Sequence, residues 1–349
     1  MTRSATFAIP GDIETLTGGY IYEKQLLLGL RRLGWDIAHL QLPDGFPDPT
    51  EAAIDSTARA LAGLPSNRPV ILDGFLTGAM PPDRLSETTA PIIAVTHHPL
   101  AYETGLSPER SAHLKHVECA NLARASHIVV PSPHTARMLI DDFGVAADRI
   151  KIAPPGVTRA ATEISQPAKP PEILAVGQLV RRKGHDTLLH ALSRLKDLPW
   201  TAHIVGRESD PAHAAELKHL ALELGVEERL HFNGELSPDA LRVRYATASI
   251  FALATRYEGY GMVFAEAMVH GLPIVTCDGG AVPDTVPVTA GRCVRVGDAV
   301  ALSAALRELL TDASLRKALA TGSRRHGESL PTWDDTARVV SDLLYQLSP

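Results

Sequence analysis

A chain of 349 residues is long enough for two domains at roughly 150 residues each. Apolar residues make up 45% and charged residues 21%, with Gly and Pro at 26 each, which excludes a collagenous, low-complexity or disordered chain. A formal charge of −6 supplies no global basic field, so nucleic acid is not an expected partner.

In chain order, short β-branched runs at 5–9, 36–40, 69–72, 91–95 and 127–130 read as buried strands. Amphipathic stretches at 20–33, 51–61, 107–125 and 133–141 lie between them and read as helices. The region 153–171 is rich in Pro, Thr, Ala and Ser without periodicity, and reads as a linker. The alternation then resumes. Strands are expected at 172–176, 201–205, 229–232, 249–253, 273–276 and 292–294, and helices at 186–195, 211–224, 238–245 and 262–270. A final helix is expected at 333–347, capped by Thr332 and able to pack on either domain. The pattern is α/β: two doubly wound, Rossmann-like domains facing a cleft, assigned as 1–155 and 172–331, with a linker at 156–171 and a carboxyl-terminal helix at 332–349.

The amino terminus lacks the apolar core of a signal peptide, and no apolar run approaches the roughly 20 residues that span a bilayer. The cytoplasm is therefore the expected compartment. The segment 26–33, with Arg31, Arg32 and Trp35, offers a face for peripheral contact with the inner side of a membrane, although a core-facing helix is the commoner arrangement. The cysteines Cys119, Cys277 and Cys293 form no CxxC pair, which argues against a disulfide scaffold or a zinc ribbon. His113, His116 and Cys119 read as a polar helix face, and Asp141–Asp142 and Asp334–Asp335 as solvated pairs. No cofactor and no metal are expected.

Chemistry concentrates in the strand-to-helix loops. Thr255 to Met268 reads TRYEGYGMVFAEAM and runs from a strand into a helix. Gly259 and Gly261 let backbone approach a ligand, and free amides at the helix start favour an anion. Glu258 precedes this anion site, and Glu266 lies a little over two helical turns beyond it. Gly18 and Gly19 precede the helix expected at 20–33, so its amino terminus also points towards the cleft. His97 and His98 end a strand at a carboxyl edge, with Tyr102, Glu103 and Arg110 close behind. No GxGxxG follows the first strand, and neither a P-loop nor a nucleophile elbow is present.

The segment EGYGMVFAEAM resembles the E-x7-E motif of retaining glycosyltransferases of the GT-B fold, family 4. VGQLVRRKGHD at 176–186 resembles that family's G-R-L-x-x-x-K-G loop. HIVG at 203–206, FNG at 232–234 and HGLPIV at 270–275 fall at matching places, as do TGGY at 17–20, VTHH at 95–98 and PGV at 155–157. The resemblance implies sugar transfer from a nucleotide-sugar donor, UDP before GDP, to an acceptor hydroxyl with retained anomeric configuration. A glycolipid or cell-surface glycan precursor is one such acceptor. It also implies roles. Glu266 would hold the ribose, Glu258 the transferred sugar, and Gly261, Met262 and Val263 the sugar and diphosphate. Lys183 would neutralise the leaving diphosphate, Gly19 would meet the donor, and His98 would stand near the sugar. Gln178 replaces the usual Arg, and Arg181 or Arg182, the latter favoured, would supply its charge. Pro155 and Asp284 replace the usual Asn and Glu. The rival readings are a nucleotide-sugar-binding pseudoenzyme, suggested by Gln178, and a sugar-nucleotide epimerase of the same fold.

Overall fold

The computed structural model describes residues 3–159 and 169–347. The contacts divide the chain into two units, domain 1 at 1–156 with 331–349 and domain 2 at 157–330. Most of the expected linker, 160–168, lies outside the described residues.

Domain 1 holds β1 (Ser4–Pro10), α1 (Gly18–Arg32), β2 (Asp36–Leu42), α2 (Glu51–Ala62), β3 (Val70–Asp73), α3 (Gly74–Ala79), α4 (Pro82–Leu85) and β4 (Ile92–Val95). It continues with α5 (Pro108–Arg124), β5 (His127–Val130), α6 (Pro133–Phe143) and β6 (Ile150–Ile152). Domain 2 holds β7 (Glu172–Val176), α7 (His185–Ser193), β8 (Thr201–Val205), α8 (Pro211–Glu223), β9 (Leu230–Phe232), α9 (Pro238–Thr247) and β10 (Ile250–Leu253). Then come α10 (Met262–Val269), β11 (Ile274–Cys277), α11 (Val282–Thr285), β12 (Gly291–Val294), α12 (Ala299–Thr311) and α13 (Ala313–Ser329), with α14 (Trp333–Leu347) closing the chain.

Each domain is built on a six-stranded parallel sheet. The order is β2-β1-β3-β4-β5-β6 in domain 1 and β12-β11-β10-β7-β8-β9 in domain 2. The direction of winding reverses between β1 and β3 in one sheet and between β7 and β10 in the other. Ligands of open α/β sheets bind outside the carboxyl ends of strands at such reversals. The strands β3, β4, β7, β10 and β11 are buried along their whole length, as a sheet covered on both faces requires.

Local chemistry sets the helix starts. Thr17, Thr50, Ser107, Ser132, Asp210 and Ser237 each accept a backbone N–H with their side chains at an N-cap, and proline follows directly in four of them. Because Thr17 caps α1, Gly18 and Gly19 form its first turn rather than a loop before it.

Several elements escape the periodicity reading. The short β6, α3 and α4 are not among the elements expected from the sequence; GFLTGA in α3 offers two glycines and no full apolar stripe. Region 295–331, where no element is assigned from the sequence, holds α12 and α13. Asp312 ends the first and caps the second, so no connecting loop marks the boundary.

α14 packs on α1 within domain 1. Trp35 donates from Nε1 to Ser341 Oγ at 2.9 Å, and Arg32 pairs with Asp334 at 2.6 Å. Arg31 donates to the Ile37 carbonyl. Thr332 and Asp335 cap one another reciprocally. Of the segment considered for membrane contact, Leu26, Leu27, Leu30 and Trp35 are buried, as in a core-facing helix, while Arg31 and Arg32 stay exposed. Among the described residues, no helix is long and apolar enough to cross a membrane.

Candidate active site

In domain 2, the loops after β7 and β10 flank the sheet's reversal, and a buried ion pair joins them. Lys183 lies in a 3-10 turn (Arg181–Lys183), and its Nζ donates to Glu258 Oε1 at 2.6 Å. The side chains are 12% and 8% exposed, so both charges are largely removed from water. Thr255 Oγ1 donates to the same oxygen at 3.0 Å, and Arg182 Nη1 stands 3.6 Å from Oε2. Burial alone would raise the Glu258 carboxyl. Lys183 and Arg182 more than offset it and hold the group below the ordinary carboxylate range. Arg182 also donates to the Tyr257 carbonyl at 2.9 Å. Arg181 turns away and pairs with Glu216 on α8.

Backbone contacts hold both loops. Buried His185 sets Nε2 at 3.2–3.3 Å from the carbonyls of Gly177 and Gln178, and burial drives its pKa down to about 4, so the ring is neutral and donates. Arg256 pairs with Asp186 at 2.6 Å, tying the β10 loop to α7. The loop after β11 closes on the other side, where Ala281 N donates to the Glu258 carbonyl at 2.8 Å.

α10 starts at Gly261, whose φ of 87° lies in the left-handed region that glycine alone enters freely. No side chain caps this helix, which leaves first-turn amides of Met262 and Val263 suited to an anion. Glu266 follows on α10 and accepts from the buried Tyr245 hydroxyl of α9 at 2.8 Å. Burial raises the Glu266 carboxyl, and the Tyr245 hydrogen bond works against that rise.

Domain 1 gathers a different group at its carboxyl edge. Asp73 ends β3, Glu23 projects from α1 and His97 follows β4; Glu23 is fully buried and Asp73 nearly so. Burial pushes Glu23 up to about 7, and burial with the neighbouring Glu23 charge pushes Asp73 well above the usual range. The two carboxyls share a hydrogen bond, which requires a proton between them. His97 Nε2 lies 3.6 Å from Glu23 Oε1, and the ring meets Tyr22 edge-on at 4.9 Å. A Cβ on Gly19 would sit 3.5 Å from His97 Cδ2. His98, the residue singled out from the sequence, is half-buried on the same turn. Among the described residues, no group of three or more His, Cys, Asp or Glu could hold a metal ion.

Residues 158–326 match the family described as Glycosyl transferases group 1, and residues 53–160 match Glycosyltransferase Family 4. The chain is a GT-B-fold relative of the group 1 and family 4 glycosyltransferases. It is 31% identical over 238 residues to the GDP-mannose-dependent alpha-(1-6)-phosphatidylinositol monomannoside mannosyltransferase of Mycobacterium tuberculosis, covering 61% of this chain and 60% of that protein. The chain thus spans about three fifths of the length of this curated relative. It is 26% identical to the MMP alpha-(1->4)-mannosyltransferase of Mycolicibacterium hassiacum, over 84% of this chain and 74% of that one. Among solved structures, sucrose-phosphate synthase from Thermosynechococcus elongatus superposes with a TM-score of 0.82 at 20% identity, covering 98% and 99% of the two chains. Anabaena HepE, in complex with UDP and glucose, gives 0.79 at 16% identity, covering 99% and 100%. These superpositions establish the GT-B fold, two Rossmann-like α/β domains.

Among the GT-B site residues expected from sequence, Lys183, Arg182, Glu258, Gly261, Met262, Val263 and Glu266 fall on the β7 and β10 loops and on α10 of domain 2. Gly19 and His98 fall at the carboxyl edge of domain 1. Sequence reasoning assigned no role to Glu23, Asp73, Tyr245, Thr255 and His185, although Thr255 and His185 lie within the quoted loop segments. Two of the others left a signal. Glu23 precedes Leu26, Leu27 and Leu30 at helical spacing, which places a carboxyl on the buried stripe of α1. Asp73 closes an otherwise apolar strand at its carboxyl end. Tyr245 left none, since its tie to Glu266 depends on how α9 packs.

Proposed function

We propose that the chain transfers a sugar from a nucleotide-sugar donor to an acceptor hydroxyl with retention of anomeric configuration. The observation that carries this reading is the buried Lys183–Glu258 pair at the reversal of the domain 2 sheet. A buried ion pair stabilises a fold little or not at all, whereas a cation beside a helix amino terminus suits a diphosphate whose charge grows as it departs. In this reading Lys183 and Arg182 neutralise the diphosphate, and the amides near Gly261, Met262 and Val263 bind its oxygens and the sugar. Glu266 accepts from the ribose hydroxyls, and Glu258 accepts from the sugar. Gly19 and His98 contribute from the carboxyl edge of domain 1.

The chemical step breaks the bond from the anomeric carbon to the diphosphate oxygen, and the electron pair leaves with the phosphate. The acceptor oxygen bonds to the same carbon from the same face, and its proton passes to the departing phosphate. The chain's own work is positioning and charge stabilisation. Arg182, 3.6 Å from Glu258, supplies the guanidinium absent at Gln178, which favours turnover over a binding-only protein. The family resemblance ranks UDP-sugars before GDP-sugars, whereas the relative at 31% identity is named for GDP-mannose. That relative is also named for a phosphate-bearing lipid, and others for D-inositol 3-phosphate.

The test is a melting-temperature panel of nucleotide sugars, followed by a donor-consumption assay. A ligand at 100 times its Kd adds about 2.7 kcal/mol of stability. Nucleoside diphosphate release that depends on acceptor supports transfer. Protection without release returns the chain to the binding class, and altered sugar without acceptor indicates an epimerase. Chelator treatment is expected to leave the initial rate unchanged, because fixed side-chain cations face the diphosphate in this proposal. A loss restored by magnesium or manganese would overturn that part.

A further inference from the structure

In domain 1, α5 buries two polar side chains one helical turn apart, Glu118 and Asn121, on the face that also carries Leu114, Val117 and Leu122. Each serves main-chain groups at the end of a neighbouring element. Asn121 donates from Nδ2 to the carbonyls of Thr77 and Met80 at 2.9 and 2.8 Å, closing the carboxyl end of α3. Glu118 accepts from the amides of Leu100 and Ala101, the first residues of a 3-10 turn, Leu100–Tyr102. Pro99 precedes that turn and gives it no side-chain cap, so the Glu118 carboxyl takes the part that an N-cap side chain plays elsewhere. Burial pushes Glu118 up to about 8, and the two amides work against that rise.

Two further contacts hold the same turn. Ser111 Oγ donates to the Ala101 carbonyl at 2.7 Å. Leu100 seats tightly on α3, where a Cβ on Gly78 would lie 2.6 Å from its Cδ1. The chain just before the turn is short and also held at its other end. Pairing beyond β4 runs to Thr96, whose amide donates to the Val129 carbonyl at 2.9 Å. His97, His98 and Pro99 alone separate Thr96 from Leu100, and the Pro99 ring fixes its φ at −59°. With both ends of so short a segment fastened, β4 and the turn together set the backbone path at His98.

Resting on the transferase reading, in which His98 stands near the transferred sugar, we propose that Glu118 is a positioning residue: its buried carboxyl fixes the turn Leu100–Tyr102 and thereby directs the His98 ring. Taking a carboxyl out of water is costly, and an apolar side chain would fill the same space on α5 without that cost. What the carboxyl adds is a fixed acceptor for two adjacent amides, which determines where the turn begins and therefore where the segment from Thr96 must end.

The experiment uses the full chain. Glu118→Leu removes the acceptor and keeps most of the volume, whereas Glu118→Gln keeps a carbonyl oxygen for the amides. Misplacing a group at the reacting centre by about 1 Å costs on the order of 100-fold, so Glu118→Leu is expected to lower kcat by roughly 10- to 100-fold. The donor KM should change little, because the nucleotide is held in domain 2 in this reading. Glu118→Gln is expected to recover most of the loss. In a His98→Ala background, Glu118→Leu should cost roughly twofold at most, since no ring is left to direct. Hydrogen exchange on a peptide spanning 96–104 reads the turn without turnover and should quicken roughly tenfold in Glu118→Leu, with α10 peptides unchanged. An undiminished kcat in folded Glu118→Leu, or an equal loss with and without His98, overturns the inference. Should Glu118→Leu fail to fold, Glu118→Asp, whose carboxyl is withdrawn by one methylene, is judged by the same criteria. If the unaltered chain releases no nucleoside diphosphate in the presence of acceptor, the transferase reading falls, and the exchange rates alone decide whether Glu118 fixes the turn.

Discussion

Both sheets place buried carboxyls beyond the carboxyl ends of their strands, and the two domains neutralise them by different means. In domain 2, Glu258 is compensated by permanent cations, Lys183 at 2.6 Å and Arg182 at 3.6 Å. In domain 1, Glu23 and Asp73 are compensated by a proton held between them. A cationic pair can exchange its carboxylate for an arriving anion, so it suits a charged ligand that comes and goes. A proton-sharing pair offers no spare positive charge. The two domains, alike in architecture, thus neutralise their buried carboxyls in opposite ways.

The largest expected effect breaks the domain 2 arrangement. Lys183→Ala leaves Glu258 buried with Arg182 as its remaining cation. Removing one partner of a buried pair typically costs about 3–5 kcal/mol, so the melting temperature should fall clearly. Lys183→Ala combined with Glu258→Gln should recover most of the loss, because no charge is then stranded. An unchanged melt in the single variant would mean that the pair carries no coupling, and the contrast with domain 1 would disappear. Turnover of Lys183→Ala, measured well below its melting point, should fall far more than donor affinity.

The second effect lies in the pH dependence. The folded-state pKa of Glu23 is raised from 4.5 to about 7, so the folded state holds a proton that the unfolded chain has released. Domain 1 therefore loses stability as pH rises from about 4.5 to about 7, by something on the order of 3 kcal/mol. Glu258 behaves oppositely. Its depressed pKa contributes stability that is present above the unfolded value and is lost as pH falls through the folded one. Hydrogen exchange followed by mass spectrometry on peptides from α1 and α10 separates the two slopes, once intrinsic exchange rates are corrected. Glu23→Gln should flatten the domain 1 slope and leave that of α10 alone. A slope that survives this substitution would show that the proton is not shared at Glu23.

These two arrangements also differ in how plainly the sequence displays them. Lys183 and Glu258 sit in contiguous motifs, VGQLVRRKGHD and EGYGMVFAEAM, whose glycines, cations and acids mark a loop entering a helix. The strands and most helices were legible for the same local reason, since their burial follows a period of 2 or 3.6. Glu23, Asp73 and His97 come from three separate segments, and only the β1-β3-β4 order brings them together. The Thr17 cap drew Gly18 and Gly19 into α1, and Asp312 fused the boundary between α12 and α13. Packing against α14 buried Trp35 and left Arg31 and Arg32 at the surface, which no property of residues 26–35 alone could reveal.

A third effect resolves the two glutamates of domain 2. A carboxylate accepting from ribose hydroxyls is worth about 1.5–3 kcal/mol, or roughly 10- to 150-fold in affinity. Glu266→Ala should weaken the free nucleoside diphosphate and the donor by a similar factor. Glu258→Ala should spare the nucleoside diphosphate and impair donor turnover. Calorimetric titration of both ligands into both variants decides it, and equal losses of nucleoside diphosphate affinity would sink the division of labour. The same titration with UDP and GDP identifies the base.

The smallest effect concerns Tyr245. Its hydroxyl donates to Glu266 Oε2 at 2.8 Å, and in the proposed reading the other carboxylate oxygen meets the ribose diol. The ring is buried and stacks on His270 at 5.0 Å, so Tyr245→Phe keeps the packing and removes one hydrogen bond. The hydrogen bond to the carboxylate is worth about 1.5–3 kcal/mol, and the part that acts by orienting Glu266, about 0.5–1.5 kcal/mol, passes to nucleoside diphosphate affinity as roughly 2- to 12-fold. If Tyr245 acts by orienting Glu266, the loss should vanish in a Glu266→Ala background, because no carboxylate is left to orient. A loss of the same size in that background would mean that Tyr245 acts on the ligand directly, and Glu266 would then have no partner fixing its direction in domain 2.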